Sequence, residues 1–173
     1  VPISEHINRL IAIRLQFDIM GVENLVVART DSEAATLITT NVDERDHAFI
    51  LGSTNPTLQP LVEVMNAAER SGKRGDALAA VEEEWTKKAG LTLFADAVVD
   101  AMAKKGVSKK VQMEYKQAAS KLSNRAARDL AAKHGIDANS GFFWDWDAPR
   151  TREGYYQYRG GTQCAVHRAV AFA

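Results

Sequence analysis

Asn24-Leu25-Val26-Val27-Ala28-Arg29-Thr30-Asp31-Ser32-Glu33-Ala34-Ala35-Thr36-Leu37-Ile38 decides the fold class of this chain. Apolar residues run straight into an arginine flanked by capping side chains, and a helix-like segment follows. The stretch predicts a strand over 24–29, a loop carrying Arg29 and a helix behind it. In parallel α/β architectures ligands gather at the carboxyl ends of strands, and a guanidinium there can grip a carboxylate through two parallel hydrogen bonds. Arg29 is therefore the first candidate site residue. Its alternative role is structural, pairing with Asp31 or capping a carbonyl.

Composition sets the class around that unit. The chain has 173 residues, 46% hydrophobic and 25% charged, enough for one core or two. With 22 basic and 22 acidic side chains the net charge is zero, so no broad field exists to hold nucleic acid or an anionic membrane. The single cysteine, Cys164, excludes an internal disulfide framework and is compatible with a reducing compartment. No apolar run approaches the ~20 residues that span a bilayer, and no signal-peptide pattern opens the chain, so a soluble, intracellular protein is expected. Val1-Pro2-Ile3 begins without a methionine or cap, and the helical pattern after Thr162 runs to Ala173 without a stop, which suggests a piece of a longer protein.

Three zones follow. In residues 4–20, apolar side chains at mixed spacings of three and four predict a helix buried on more than one side and closed by Gly21. Helix, strand, Arg29 loop and helix is the rhythm of an α/β unit. Residues 39–47 are polar and predict a loop, before a short apolar piece ended by Gly52. From Ser53 the pattern is helix after helix with no convincing strand. The first has Asn55 as cap and Pro56 at its first position, and the next two end at Gly90 and Gly106. Ser108 and Ser123 cap the fourth and fifth. The third zone opens with Phe142-Phe143-Trp144-Asp145-Trp146-Asp147, whose alternation places both tryptophans on one side, where the helical part rejoins the main body. Thr162 stands as cap of the last helix.

Other chemistry-bearing residues give little. Asp145 and Asp147 lack a His or Glu partner at metal-ligand spacing, and His6, His47, His134 and His167 are scattered. Cys164 sits among alanines without an adjacent base and reads as a packed thiol. Gly160-Gly161 is a turn rather than a phosphate loop. The arginines and tyrosines of 149–161 read as a subunit contact or site rim.

Several runs nevertheless carry a specific resemblance: Val1 to His6, Ala28 to Ile38, Asp43-Glu44-Arg45-Asp46-His47, Phe49-Ile50-Leu51-Gly52 and Pro149 to Tyr156. Together they closely resemble an internal segment of the isocitrate lyase family, in its eukaryotic form. The resemblance covers the whole chain and is looser in the helical zone. It implies an α/β fold, predominantly helical overall: an incomplete piece of a (β/α)8-type barrel interrupted by an all-α insertion. Residues 1–52 would be the barrel segment, 53–147 the insertion and 148–173 the return.

It further implies a carbon–carbon lyase that uses Mg2+ to split isocitrate into succinate and glyoxylate, acting on small molecules as a homotetramer in the glyoxysome, peroxisome or cytosol. The sister activity on 2-methylisocitrate, with a mitochondrial location, stays open. By motif match Arg29 is the substrate-binding arginine. The family's Lys-Lys-Cys-Gly-His motif would lie just ahead of Val1, the metal ligands further upstream and the Asn-x-Ser-x-Ser stretch beyond Ala173. No catalytic residue and no metal ligand is then expected within the chain, and Cys164 does not match the catalytic cysteine. One barrel strand cannot close a sheet, so the segment alone should be inactive. A non-catalytic helical interaction module is the reading of a different class.

Overall fold

The computed structural model describes residues 1–173 as a predominantly helical α/β chain with seven α-helices and four two-residue strands. Helix α1 (Ile3–Met20) ends at Gly21, whose left-handed backbone (φ 67°) lets its N–H reach back to the Asp18 and Phe17 carbonyls. The expected burial of α1 does not hold: only Ile3 is buried, while Ile11, Ile13, Leu15, Ile19 and Met20 face outward. Those faces stay largely open to solvent in this chain.

Residues 24–29 form no strand. None of them makes a backbone–backbone hydrogen bond, and Leu25 and Val27 are 88% and 82% exposed. A ladder needs a neighbour, and no other segment runs beside either edge. The helix expected behind Arg29 is also corrected. A 3-10 turn at Ser32–Ala34 leads into strand β1 (Leu37–Ile38), because Leu37 and Ile38 find strand partners in β4 (Tyr156–Gln157). A 3-10 helix at Glu44–Phe49 occupies the end of the expected loop.

Strand β2 (Leu51–Gly52) pairs antiparallel with β3 (Thr92–Leu93), Leu51 opposite Leu93 and Gly52 opposite Thr92, so the helical zone does contain a strand. Single bridges join Ile50 to Tyr158 and Ser53 to Asp145. The chain returning through 145–158 therefore lies along 36–53.

Between these ribbons sit α2 (Leu61–Arg70), α3 (Asp76–Ala89), α4 (Phe94–Lys104), α5 (Lys109–Ala119) and α6 (Asn124–Lys133). Helix α2 begins after Pro60, not Pro56, because Asn55 Oδ1 accepts from the Thr57 N–H and closes a turn there. Gly90 (φ 59°) stops α3, and the Ser108 and Ser123 hydroxyls cap α5 and α6 as expected. The main core joins α4, α5 and α6 around Val98, Met102, Tyr115 and Ile136, closed by Trp144. Leu61, Met65 and Trp85 lock α2 on α3.

Trp144 is the hinge of this packing. Its indole N–H donates to the Thr92 carbonyl (2.9 Å) and its face lies on Gly52, where a Cβ would overlap the ring, standing 2.7 Å from Cζ2 and closer still to Cε2. Trp146, 5.7 Å away, stacks edge-on toward Tyr156 of a second cluster made with Ile38, Ile50, Tyr158 and Cys164. That cluster carries α7 (Thr162–Phe172). Thr162 is the first residue of α7, not its cap; Gly161 occupies the cap position, and the Thr162 hydroxyl donates to Glu33 instead (2.9 Å).

Candidate functional site

The loop behind residues 24–29 is shaped by small hydroxyl residues. The Thr30 and Ser32 hydroxyls lie 2.9 Å apart, and the Ser32 N–H donates to Thr30 Oγ1, which turns the chain into the 3-10 turn. The start of α7 holds that turn from the other side. Gly160 N–H donates to the Ala35 carbonyl (2.9 Å) and Gly161 N–H to the Ser32 carbonyl (3.3 Å). A Cβ on Gly160 would meet the Ala35 carbonyl oxygen at 2.7 Å and its nitrogen at 2.8 Å. Gly160-Gly161 is thus a close approach of two backbones.

Arg29 emerges from this loop exposed, on a cleft of ~280 Å³ whose walls include Val1, His6, Asp31, Leu37, Tyr158, Arg168 and Phe172. Within this chain it makes no hydrogen bond or ion pair with Asp31 or with a carbonyl. A guanidinium with all its donors available on a concave surface is suited to a carboxylate or phosphate.

Behind the cleft lies a buried polar network. Asp46 is 0% exposed and accepts three hydrogen bonds: from Ile3 N–H (2.9 Å), from the Tyr158 hydroxyl (3.2 Å) and from Arg168 Nη1 (2.5 Å). Arg168 Nη2 donates to the Val1 carbonyl (2.8 Å), and its guanidinium lies 5.6 Å from the centre of the Phe172 ring. Tyr158 also shares a hydrogen bond with the buried Cys164 thiol (3.2 Å); burial, and then this contact, push its phenol far above the ordinary tyrosine range. Cys164 is therefore a packed thiol.

Asp43 completes the arrangement. It accepts from Ser4 N–H (2.7 Å), while Arg45 donates to it from its backbone, Nε (3.0 Å) and Nη2 (2.8 Å). The Arg45 side-chain hydrogen bonds, with smaller help from the backbone donors and against the cost of burial, hold its carboxyl well below the usual range. Pro2 cannot cap α1 with its own side chain, so these two aspartates from 43–46 cap it in trans, where negative charge also suits the positive end of the helix dipole.

The other candidates fall elsewhere. Asp145 Oδ1 accepts from the Asp147 N–H (2.8 Å), and no three His, Cys, Asp or Glu side chains converge anywhere to hold a metal ion. His6 tilts against Phe172 (4.4 Å), with Nε2 shut away without a partner. His47 bridges the Asn41 carbonyl (2.7 Å) and the Asn124 N–H (3.0 Å), tying α6 to the segment before it, and His167 bonds the Arg45 carbonyl (3.0 Å). His134 lies against Tyr115. No helix is long and apolar enough to cross a membrane.

Sequence reasoning missed Asp46, Tyr158 and Arg168 as members of the cleft and its backing. The available signals were an acidic pair inside Asp43-Glu44-Arg45-Asp46-His47 next to an apolar run, and an arginine within the alanine-rich pattern of α7.

A model of the isocitrate lyase family matches residues 1–173. The chain is 51% identical to the isocitrate lyase of Pinus taeda, covering 99% of this chain and 31% of that protein. It is 48% identical to an isocitrate lyase of Saccharomyces cerevisiae, covering 100% and 31%. Relatives named 2-methylisocitrate lyase are more distant, the mitochondrial one of Hypocrea atroviridis matching at 43% over 100% of this chain and 31% of its own length. The chain thus spans about a third of the length of these relatives.

Proposed function

Because the chain belongs to the isocitrate lyase family, we propose that it is a segment of a carbon–carbon lyase that cleaves isocitrate into succinate and glyoxylate in the glyoxylate cycle, with Arg29 as its contribution to substrate binding. The observation that carries this reading is Arg29 itself: a guanidinium without a protein partner, set on a cleft by the Ala28-Arg29-Thr30-Asp31 segment through which the family resemblance runs.

Retro-aldol cleavage breaks one carbon–carbon bond of a tricarboxylate and leaves electron density on the carbon beside a carboxylate. A fixed cation serves that chemistry twice, by orienting the substrate and by stabilising charge that grows as the bond breaks. Arg29 supplies such a cation, and its planar fork holds a carboxylate in one orientation. In this reading the ligands of the magnesium ion belong to parts of the enzyme outside this chain. The same holds for the catalytic cysteine, whose motif is absent.

Residues 24–29, with both backbone edges unpaired, are in this reading one strand of a (β/α)8-type barrel whose neighbours lie outside the chain, and α1 packs its outward apolar side chains on that remainder. Residues 53–147 are the helical insertion, and residues 148–173 return to the barrel. The intact enzyme is a homotetramer located in the glyoxysome, peroxisome or cytosol.

The sister reading, cleavage of 2-methylisocitrate to succinate and pyruvate in the mitochondrion, has the same mechanism and the same arginine. The 48–51% identity to the isocitrate lyases of Pinus taeda and Saccharomyces cerevisiae, against 43% to the 2-methylisocitrate lyase of Hypocrea atroviridis, favours the first. Parallel kcat/KM measurements of the full-length protein on the two substrates decide between them. A preference for isocitrate with release of glyoxylate is expected; pyruvate release from 2-methylisocitrate at higher kcat/KM would overturn the first in favour of the second.

A further inference from the structure

The Arg29 cleft holds a second guanidinium with unspent donors. Arg168 is 7% exposed, yet it lines the same cleft. A guanidinium carries five N–H donors. Two of those on Arg168 are taken, one by Asp46 Oδ1 (2.5 Å) and one by the Val1 carbonyl (2.8 Å), and the others meet no acceptor in the chain. Asp31, the acid on the cleft wall, pairs with neither arginine.

Asp46 makes Arg168 a fixed group. The carboxylate is itself anchored by Ile3 N–H and the Tyr158 hydroxyl, so three elements distant in sequence converge to hold one guanidinium in place. Asp46 offsets the long-range charge of Arg168 but occupies only one of its donors, so those without an acceptor remain available for a short-range contact. Two arginines on one cleft, one exposed and one buried and held, match a ligand with two carboxylates better than a ligand with one.

We infer that Arg168 is a second carboxylate-binding residue of the cleft, that Asp46 positions it, and that together with Arg29 it selects a di- or tricarboxylate over a monocarboxylate. This rests on the reading of the cleft as the substrate site.

The test uses the full-length protein and two probes, succinate and its monoamide succinamate, which differ in one carboxylate. Dissociation constants are measured by calorimetry for the unmodified protein, Arg29→Ala, Arg168→Lys and the double variant Asp46→Asn/Arg168→Met. Lysine keeps the charge beside Asp46, and the double variant removes both members of the pair at once, so neither leaves Asp46 as an unpaired buried charge. The inference predicts that both Arg168 variants lose the preference for succinate over succinamate by about ten-fold. A purely structural role for Arg168 would weaken both probes alike and leave the ratio unchanged, and that result overturns the inference. If Arg29→Ala binds both probes as the unmodified protein does, the reading of the cleft fails; if Arg29→Ala weakens binding while the Arg168 ratio stays constant, only the inference fails.

Discussion

At the scale of single residues, the side chains around Arg29 act through space and charge. Gly160 lies so close to Ala35 that a methyl group cannot fit without moving backbone. Gly160→Ala should therefore shift the Ser32–Ala34 turn and the Arg29 loop with it. The expected result is a fall in kcat/KM of the full-length enzyme larger than the accompanying fall in Tm would explain. Unchanged kinetics would show that the loop tolerates the shift. Asp43 supplies a pH dependence. Its carboxyl is held below the usual range by Arg45, so its stabilising contribution is present above the unfolded pKa near 4 and disappears as pH falls through that value toward the folded one. Tm measured from pH 6 to pH 3 should fall more steeply for the unmodified protein than for Asp43→Asn, which should be less stable at pH 6; parallel curves would contradict this. Arg29 itself was legible in the sequence as a candidate, because an arginine ending an apolar run is a local pattern. Asp46, Tyr158 and Arg168 were not, because they meet through contacts 112 and 122 residues apart that no local spacing encodes.

At the scale of elements, local signals worked where helices close on themselves. The Ser108 and Ser123 caps and the Gly21 and Gly90 stops all occur as read, since each depends on hydrogen bonds within a few residues. Ser123→Ala should cost about 1 kcal/mol, measured by denaturant unfolding, and a cost near zero would show that the Asn124–His47 bond holds the end of α6 unaided. The chain departs from its sequence pattern where an element needs a distant partner. Residues 24–29 have the composition of a strand and no neighbour to pair with, whereas Leu37 and Ile38, which follow a helical pattern, have one in β4. Proline at position 56 matched a helix start, yet the Asn55 turn takes its place and Pro60 precedes α2. Trp144 is the element-scale joint: it closes the α4–α6 core while lying on Gly52 and bonding Thr92. Trp144→Ala should cost about 3–5 kcal/mol, as expected for a buried aromatic, read as a loss of cooperative unfolding or a lower denaturant midpoint. A cost under 1 kcal/mol would contradict that role.

At the scale of the whole molecule, the outer surface of α1 and residues 24–29 presents Ile11, Leu15, Ile19, Leu25 and Val27 to solvent, a density of apolar side chains that soluble proteins normally cover. In the proposed enzyme the remainder of the barrel covers them. The 173-residue chain on its own should accordingly bind a hydrophobic dye and self-associate, while the full-length protein should do neither; a monodisperse, dye-silent isolated chain would count against the barrel. Excision of residues 53–147 tests the helical-module reading at the same scale, since a part whose Trp146 packs on His47 and Tyr156 and whose Asp96 pairs with Arg159 (3.0 Å) should lose cooperativity when those contacts are removed. The central claim, that Arg29 grips a substrate carboxylate, is tested most directly by isocitrate cleavage in the full-length protein with Arg29 replaced by alanine and by lysine. Removal of one member of a close charge pair costs about 2–5 kcal/mol, so alanine should lower kcat/KM roughly 30- to several-thousand-fold with Tm unchanged, and lysine should restore only part of the loss. An Arg29→Ala enzyme that releases glyoxylate with the kcat/KM of the unmodified protein would contradict the claim.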